Sequence, residues 1–232
     1  WDVKTTTDNN PNAEAFILYG DGKGGFTKTV FQTGIDFHEG KATDIDGDVR
    51  AAAPTIGADE FAAPVTETVW TGSISTDWFD SNNWTAGIPT VSVDAIIPDV
   101  SSASNRYPVL VSVGGLFGVA KDLNIHAGAS VSLPNSTRIE LSRDLNNAGS
   151  ANFGLGTLRF TNANTHIING DVNIGTLTLN AATTLIGTAN ITEALNLVAG
   201  DLNTTNGTLT LKSDATQTAY LNDFASGYTG TL

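Results

Sequence analysis

Leu158-Arg159-Phe160, Leu177-Thr178-Leu179 and Leu195-Asn196-Leu197 repeat one unit, two apolar side chains around a polar one. Outward from these, the unit recurs as Ile139/Leu141 and Leu123/Ile125 on one side and as Leu209/Leu211 on the other. First members of successive pairs stand 16, 19, 19, 18 and 14 residues apart. Alternation places both apolar side chains on one face of a strand, and a near-constant interval stacks equivalent strands. The pattern therefore predicts an all-β chain with a parallel β-solenoid over residues 121–232. Each coil of such a fold buries its inward residues against its neighbours, with strands about 4.8 Å apart along the axis. Ig-like β-sandwich modules are the alternative, because they also alternate strands with regular turns. The interval, and the lack of a dominant core aromatic after Phe160, favour the solenoid.

Lys and Arg total 11 against 24 Asp and Glu, a net charge of −13 and a pI near 4.3. A field of that sign repels polyanions and argues against nucleic acid as a partner. Cysteine is absent, which removes disulfides, thiolate metal sites and cysteine nucleophiles. No apolar run approaches the ~20 residues that cross a bilayer, so no membrane insertion is expected. The chain opens on Trp1, has no Met and stops in a strand-like pattern, and so reads as a segment of a longer protein.

Four sections follow: a β-rich extension at 1–61, a linker at 62–68, a Trp-rich capping segment at 69–120 and the repeats at 121–232. In the extension, Ala15-Phe16-Ile17-Leu18-Tyr19 and Phe26-Thr27-Lys28-Thr29-Val30-Phe31 flank a Gly- and Asp-rich turn, a hairpin signal. Asp44, Asp46 and Asp48 alternate around Gly47 and could converge on a calcium ion.

Together the hairpin and the acidic loop resemble an FG-GAP or VCBS propeller repeat. That resemblance implies calcium at Asp44, Asp46 and Asp48, although the chain continues Val49-Arg50-Ala51-Ala52 where the family has Gly and further acidic ligands. The same loop, followed by Ile56-Gly57-Ala58-Asp59-Glu60-Phe61, resembles the terminal signature of secreted parallel β-helix proteins, which implies a structural role instead. Both readings stay open on sequence alone. From residue 69 on, Val69-Trp70-Thr71-Gly72, Asp77-Trp78-Phe79, Asn83-Trp84, Gly87-Ile88-Pro89, Ile97-Pro98 and Tyr107-Pro108-Val109-Leu110 lead into Asn-, Thr- and Gly-rich repeats. This order resembles modules of large secreted surface proteins of the Bacteroidota exported by the type IX system. It implies an extracellular, cell-surface scaffold.

Trp70, Trp78 and Trp84 carry two readings, a cap over the apolar end of the stack or an aromatic platform for carbohydrate. Asn124, Asn146, Asn147, Asn173, Asn196 and Asn203 fit amide ladders or turns between coils. Ionisable groups in the repeats are sparse; Arg138, Glu140, Arg143 and Asp144 form the densest group and read as an exposed ion-pair patch. His126 and His166 lie 40 residues apart without a recurring acidic partner, and no Gly-x-Ser-x-Gly elbow occurs. The expectation is a non-enzymatic structural or adhesive segment, without a cofactor beyond calcium, whose partners are copies of itself, neighbouring domains or glycans. A fibre is one form that self-association could take. A carbohydrate-binding accessory region of a polysaccharide-processing enzyme is the alternative.

Overall fold

The computed structural model describes residues 14–20, 26–33, 64–111, 114–134 and 137–223. The chain divides into two compact units, Trp1–Ala63 and Pro64–Leu232. In the first, β1 (Glu14–Gly20) and β2 (Phe26–Thr33) pair antiparallel with a bulge between Ala15 and Phe16, which gives the hairpin expected from the sequence. The calcium reading of Asp44, Asp46 and Asp48 and the Ile56–Phe61 signature lie outside the described residues.

The second unit is a parallel β-solenoid with three strand faces visited in a fixed order. The first face stacks β3 (Glu67–Val69), β4 (Asp94–Ile97), β6 (Leu123–Ile125), β9 (Leu145–Asn147), β12 (His166–Asn169) and the starts of β14 (Thr183–Leu197) and β15 (Leu202–Leu211). The second stacks β7 (Ser130–Ser132), β10 (Ser150–Asn152), the start of β13 (Val172–Leu179), the middle of β14 and the end of β15. The third stacks β5 (Gly118–Ala120), β8 (Arg138–Leu141), β11 (Thr157–Phe160), the ends of β13 and β14, and β16 (Tyr220–Asp223). In the later coils the corners are tight enough for one strand to run from face to face.

Register turns the sequence alternation into buried columns. On the first face Thr68, Ala95, Leu123, Leu145, Ile168 and Leu185 stand in line, all buried. The second face aligns Val131, Ala151, Val172 and Ala189, and the third aligns Ile139, Leu158, Leu177 and Leu195 beside Leu141, Phe160, Leu179 and Leu197. Burial of each large aliphatic side chain contributes about 1.5–3 kcal/mol, and every coil completes the burial of the next.

Of the six pairs in the sequence pattern, four occupy the third face; Leu123/Ile125 lies on the first and Leu209/Leu211 on the second. The two deviant intervals, 16 and 14, are the steps at which the pattern changes face.

Two boundaries differ from expectation. The sheet begins at Glu67, inside the stretch 62–68 expected as a linker, and the capping segment 69–120 itself supplies β4 and β5. The polar Thr68 hides this start, because it occupies an inward position. Its hydroxyl donates to the Gly87 carbonyl and accepts from the Ala86 amide, which satisfies the buried oxygen. The first coils are also long. Along the first-face column the steps are 27, 28, 22, 23 and then 17 residues, so the coil perimeter shrinks toward the C-terminus. No helix among the described residues is long and apolar enough to cross a membrane.

Candidate functional site

The wide first coils hold the tryptophans. Trp70, Trp78 and Trp84 expose 1%, 0% and 5% of their surface, and Trp84 meets each of the others edge to face, with centroids 5.0 and 4.8 Å apart. Trp84 Nε1 donates to the Trp78 carbonyl at 2.9 Å and Trp70 Nε1 to the Arg106 carbonyl at 2.8 Å. A buried ring offers no face to a sugar, so the carbohydrate-platform reading of these three residues is corrected. They form the cap.

Asn83 holds the loop above that cap. Its Oδ1 accepts from the amides of Ile74 and Ser75, both at 3.0 Å, and its Nδ2 donates to Ser75 Oγ at 2.9 Å and to the Asp77 carbonyl at 3.0 Å. The cap also covers the outer edge of β3, where Thr85 N donates to the Val69 carbonyl at 3.0 Å and Val69 N to Thr85 Oγ1 at 2.9 Å.

Three side-chain ladders run up the outside. On the first face Asn146 Nδ2 donates to Asn124 Oδ1 at 3.0 Å; on the second Asn190 Nδ2 donates to Asn173 Oδ1 at 2.9 Å. On the third Asn222 Nδ2 donates to Asn196 Oδ1 at 3.0 Å, and Asn196 Nδ2 to Thr178 Oγ1 at 3.1 Å. Further along that face, Glu140 Oε1 lies 3.0 Å from Arg138 Nε and 3.4 Å from Arg159 Nη1. Arg138 is close enough for an ion pair but not aligned for a hydrogen bond. Its guanidinium also sits 4.0 Å above the Phe117 ring.

The sequence reading missed an acidic column at the corner before the first face. Asp122 Oδ1 accepts from the Asp144 amide and Asp144 Oδ1 from the Ile167 amide, each at 2.8 Å, while Asp94 Oδ1 accepts from the Asp122 amide at 3.3 Å. Each carboxylate thus ties down the backbone of the following coil. Lys121 Nζ lies 3.0 Å from Asp94 and 3.8 Å from Asp122. Partial burial, followed by repulsion from Asp94 and Asp144, raises the Asp122 carboxyl against the pull of its backbone hydrogen bond and Lys121. The recurring dipeptides Asp94-Ala95, Asp122-Leu123 and Asp144-Leu145 were the available signal.

Elsewhere, the Tyr107 hydroxyl donates to Asp99 Oδ1 at 2.6 Å; with help from Ser101 it holds Asp99 at about 2, and Tyr107 is raised in turn. The two histidines do not form a pair. His166 is buried on Phe160, with Nδ1 2.8 Å from the Arg143 carbonyl, whereas His126 is exposed beside the amide ladder of the first face. There it joins Ile96, Asn124, Asn146, Asn147, Ala148 and Asn169 around an open groove of about 390 Å³. Among the described residues no three His, Cys, Asp or Glu side chains are grouped to hold a metal ion.

The chain is a parallel β-solenoid with a tryptophan cap at one end and polar ladders on its faces. Comparison with protein families, with curated proteins and with solved structures gives no match.

Proposed function

We propose that this chain is a non-enzymatic structural segment of an extracellular bacterial surface protein, and that its solenoid associates with a second copy through its last coil. The supporting observation is the mismatch between that coil and those before it. Leu211 stands in register with the buried Ile191, and Leu221 with the buried Leu195, yet they expose 38% and 41% of their surface. Among the described residues no strand pairs with the outer edge of β15 or of β16. An unpaired parallel edge with apolar side chains beneath it is a template for another strand. Because the opposite end is covered by the cap, association through this edge yields end-to-end pairs and not an open-ended fibre. The extracellular assignment rests on the order of motifs from Trp70 to Leu110, and the low share of charged residues agrees with it.

The test is sedimentation equilibrium with negative-stain electron microscopy over a concentration series. Paired particles that revert to single ones in Leu211→Lys/Leu221→Lys support the reading. A wild-type chain that stays monomeric at every concentration refutes the association.

A further inference from the structure

We propose that the first face of the solenoid binds a neutral, hydroxyl-rich polysaccharide laid along the solenoid axis in the groove beside Asn124 and Asn146. This site is independent of the C-terminal edge and of the tryptophans. The outward positions of that face form two columns. One is the acidic column of Asp94, Asp122 and Asp144; the other runs through Ile96, Asn124, Asn146 and Asn169 in register.

The amides are held in place before any ligand arrives. Asn146 is bonded to Asn124, and Asn147 donates to the Asp171 carbonyl at 2.5 Å and accepts from the Gly149 amide at 3.0 Å. Fixed groups bind without the entropy loss of ordering them.

The chemistry of the lining selects the occupant. A primary amide presents a donor and an acceptor side by side, as a sugar hydroxyl does, and the second oxygens of the adjoining carboxylates accept from neighbouring hydroxyl pairs. Ile96 at one end and Ala148 on the rim give apolar surface for the C–H faces of a pyranose ring. Strands recur about every 4.8 Å, so the four coils from Ile96 to Asn169 span about 14 Å. That step is close to the advance per residue of an extended polysaccharide, so successive amides meet successive sugars. The Asp column, in a chain of net charge −13, repels sulfated and uronate polymers.

Affinity electrophoresis of the whole chain tests this, in gels containing xyloglucan, galactomannan, hydroxyethylcellulose or mixed-linkage β-glucan, with alginate and heparin as anionic controls. Retardation is expected in at least one neutral polymer and in neither anionic one. Asn124→Thr/Asn146→Thr is expected to weaken binding at least about tenfold at an unchanged melting temperature. Ala148→Arg, on an exposed rim position, is expected to do the same without touching the interior. The equivalent ladder change on the second face, Asn173→Thr/Asn190→Thr, is expected to leave binding intact. The proposal is overturned if no neutral polymer retards the chain, if the anionic polymers retard it equally, or if Ala148→Arg binds as wild type.

Discussion

Replacing Asn83 by alanine removes four hydrogen bonds at once from a side chain with no exposed surface. Each such bond has a net worth of about 0.5–1.5 kcal/mol, and a buried partner left unpaired costs about 1–3 kcal/mol. The amides of Ile74 and Ser75 and the hydroxyl of Ser75 sit in a half-exposed loop and can turn to water, which offsets part of the loss. The carbonyl of Asp77 adjoins Trp78 and stays under the cap. The balance is a destabilisation of about 3 kcal/mol, at the upper end of ordinary single substitutions. Because a solenoid coil is held only by its neighbours, this loss falls on the first coils and opens the cap before the rest of the stack.

Urea unfolding followed by tryptophan emission reads that event, since Trp70, Trp78 and Trp84 lie directly beneath the loop; far-UV circular dichroism follows the sheet. The expected outcome is an emission transition at lower urea than the dichroism transition, with the wild-type transitions closer together. Asn82→Ala, one residue away on an exposed position, is expected to shift neither by more than about 0.5 kcal/mol. An Asn83→Ala chain that loses less than about 1 kcal/mol, or whose two signals move together, would refute the account of the cap.

Gly118 stands at the head of the third-face column, where an added Cβ collides with Leu110 Cδ2 and comes within 3.3 Å of Ile139 Cγ1; Gly118→Val is expected to cost about 1–3 kcal/mol in the same urea assay. Asp99 has a folded value near 2 against an ordinary 3.8, so its stabilisation is complete above the unfolded value and is lost as pH falls toward 2. Tyr107→Phe is expected to flatten acid unfolding curves in that window, and an unchanged curve counts against the Tyr107–Asp99 bond. Asp122 has the opposite sign: its raised folded value means stability present below the unfolded value and lost as pH rises through the folded one. Asp122→Asn keeps an oxygen for the Asp144 amide while removing the buried charge, so the melting temperature at pH 7 is expected to hold or rise; a clear fall is the contrary result.

How much of this was legible in the sequence differs from element to element. The third face was legible because Ile139, Leu158, Leu177 and Leu195 recur almost evenly, which only a constant coil perimeter allows. The first face was not, since its steps vary from 28 to 17 residues and Thr68 and Ala95 hold inward positions with little hydrophobic signal. Asn124, Asn146, Asn173 and Asn196 were read as ladder candidates and do form ladders. Asn203 instead accepts from the Thr205 amide in a turn, and the partners Asn190 and Asn222 were missed because stacking depends on register. The tryptophans were ambiguous for a simple reason. A ring that caps a stack and a ring that meets a sugar have the same neighbours in sequence, and only burial separates them.

The shrinking coil perimeter has a mechanical consequence. A solenoid pulled from its two ends gives way one coil at a time, and each coil pays out its own length of chain before the next takes the load. At about 3.5 Å per extended residue, the 17-residue step between Ile168 and Leu185 releases about 60 Å and the 28-residue step between Ala95 and Leu123 about 100 Å. Force applied from the C-terminus therefore meets short extensions first and long ones last, the widest held under the tryptophans, so the segment yields progressively and keeps its greatest slack in reserve.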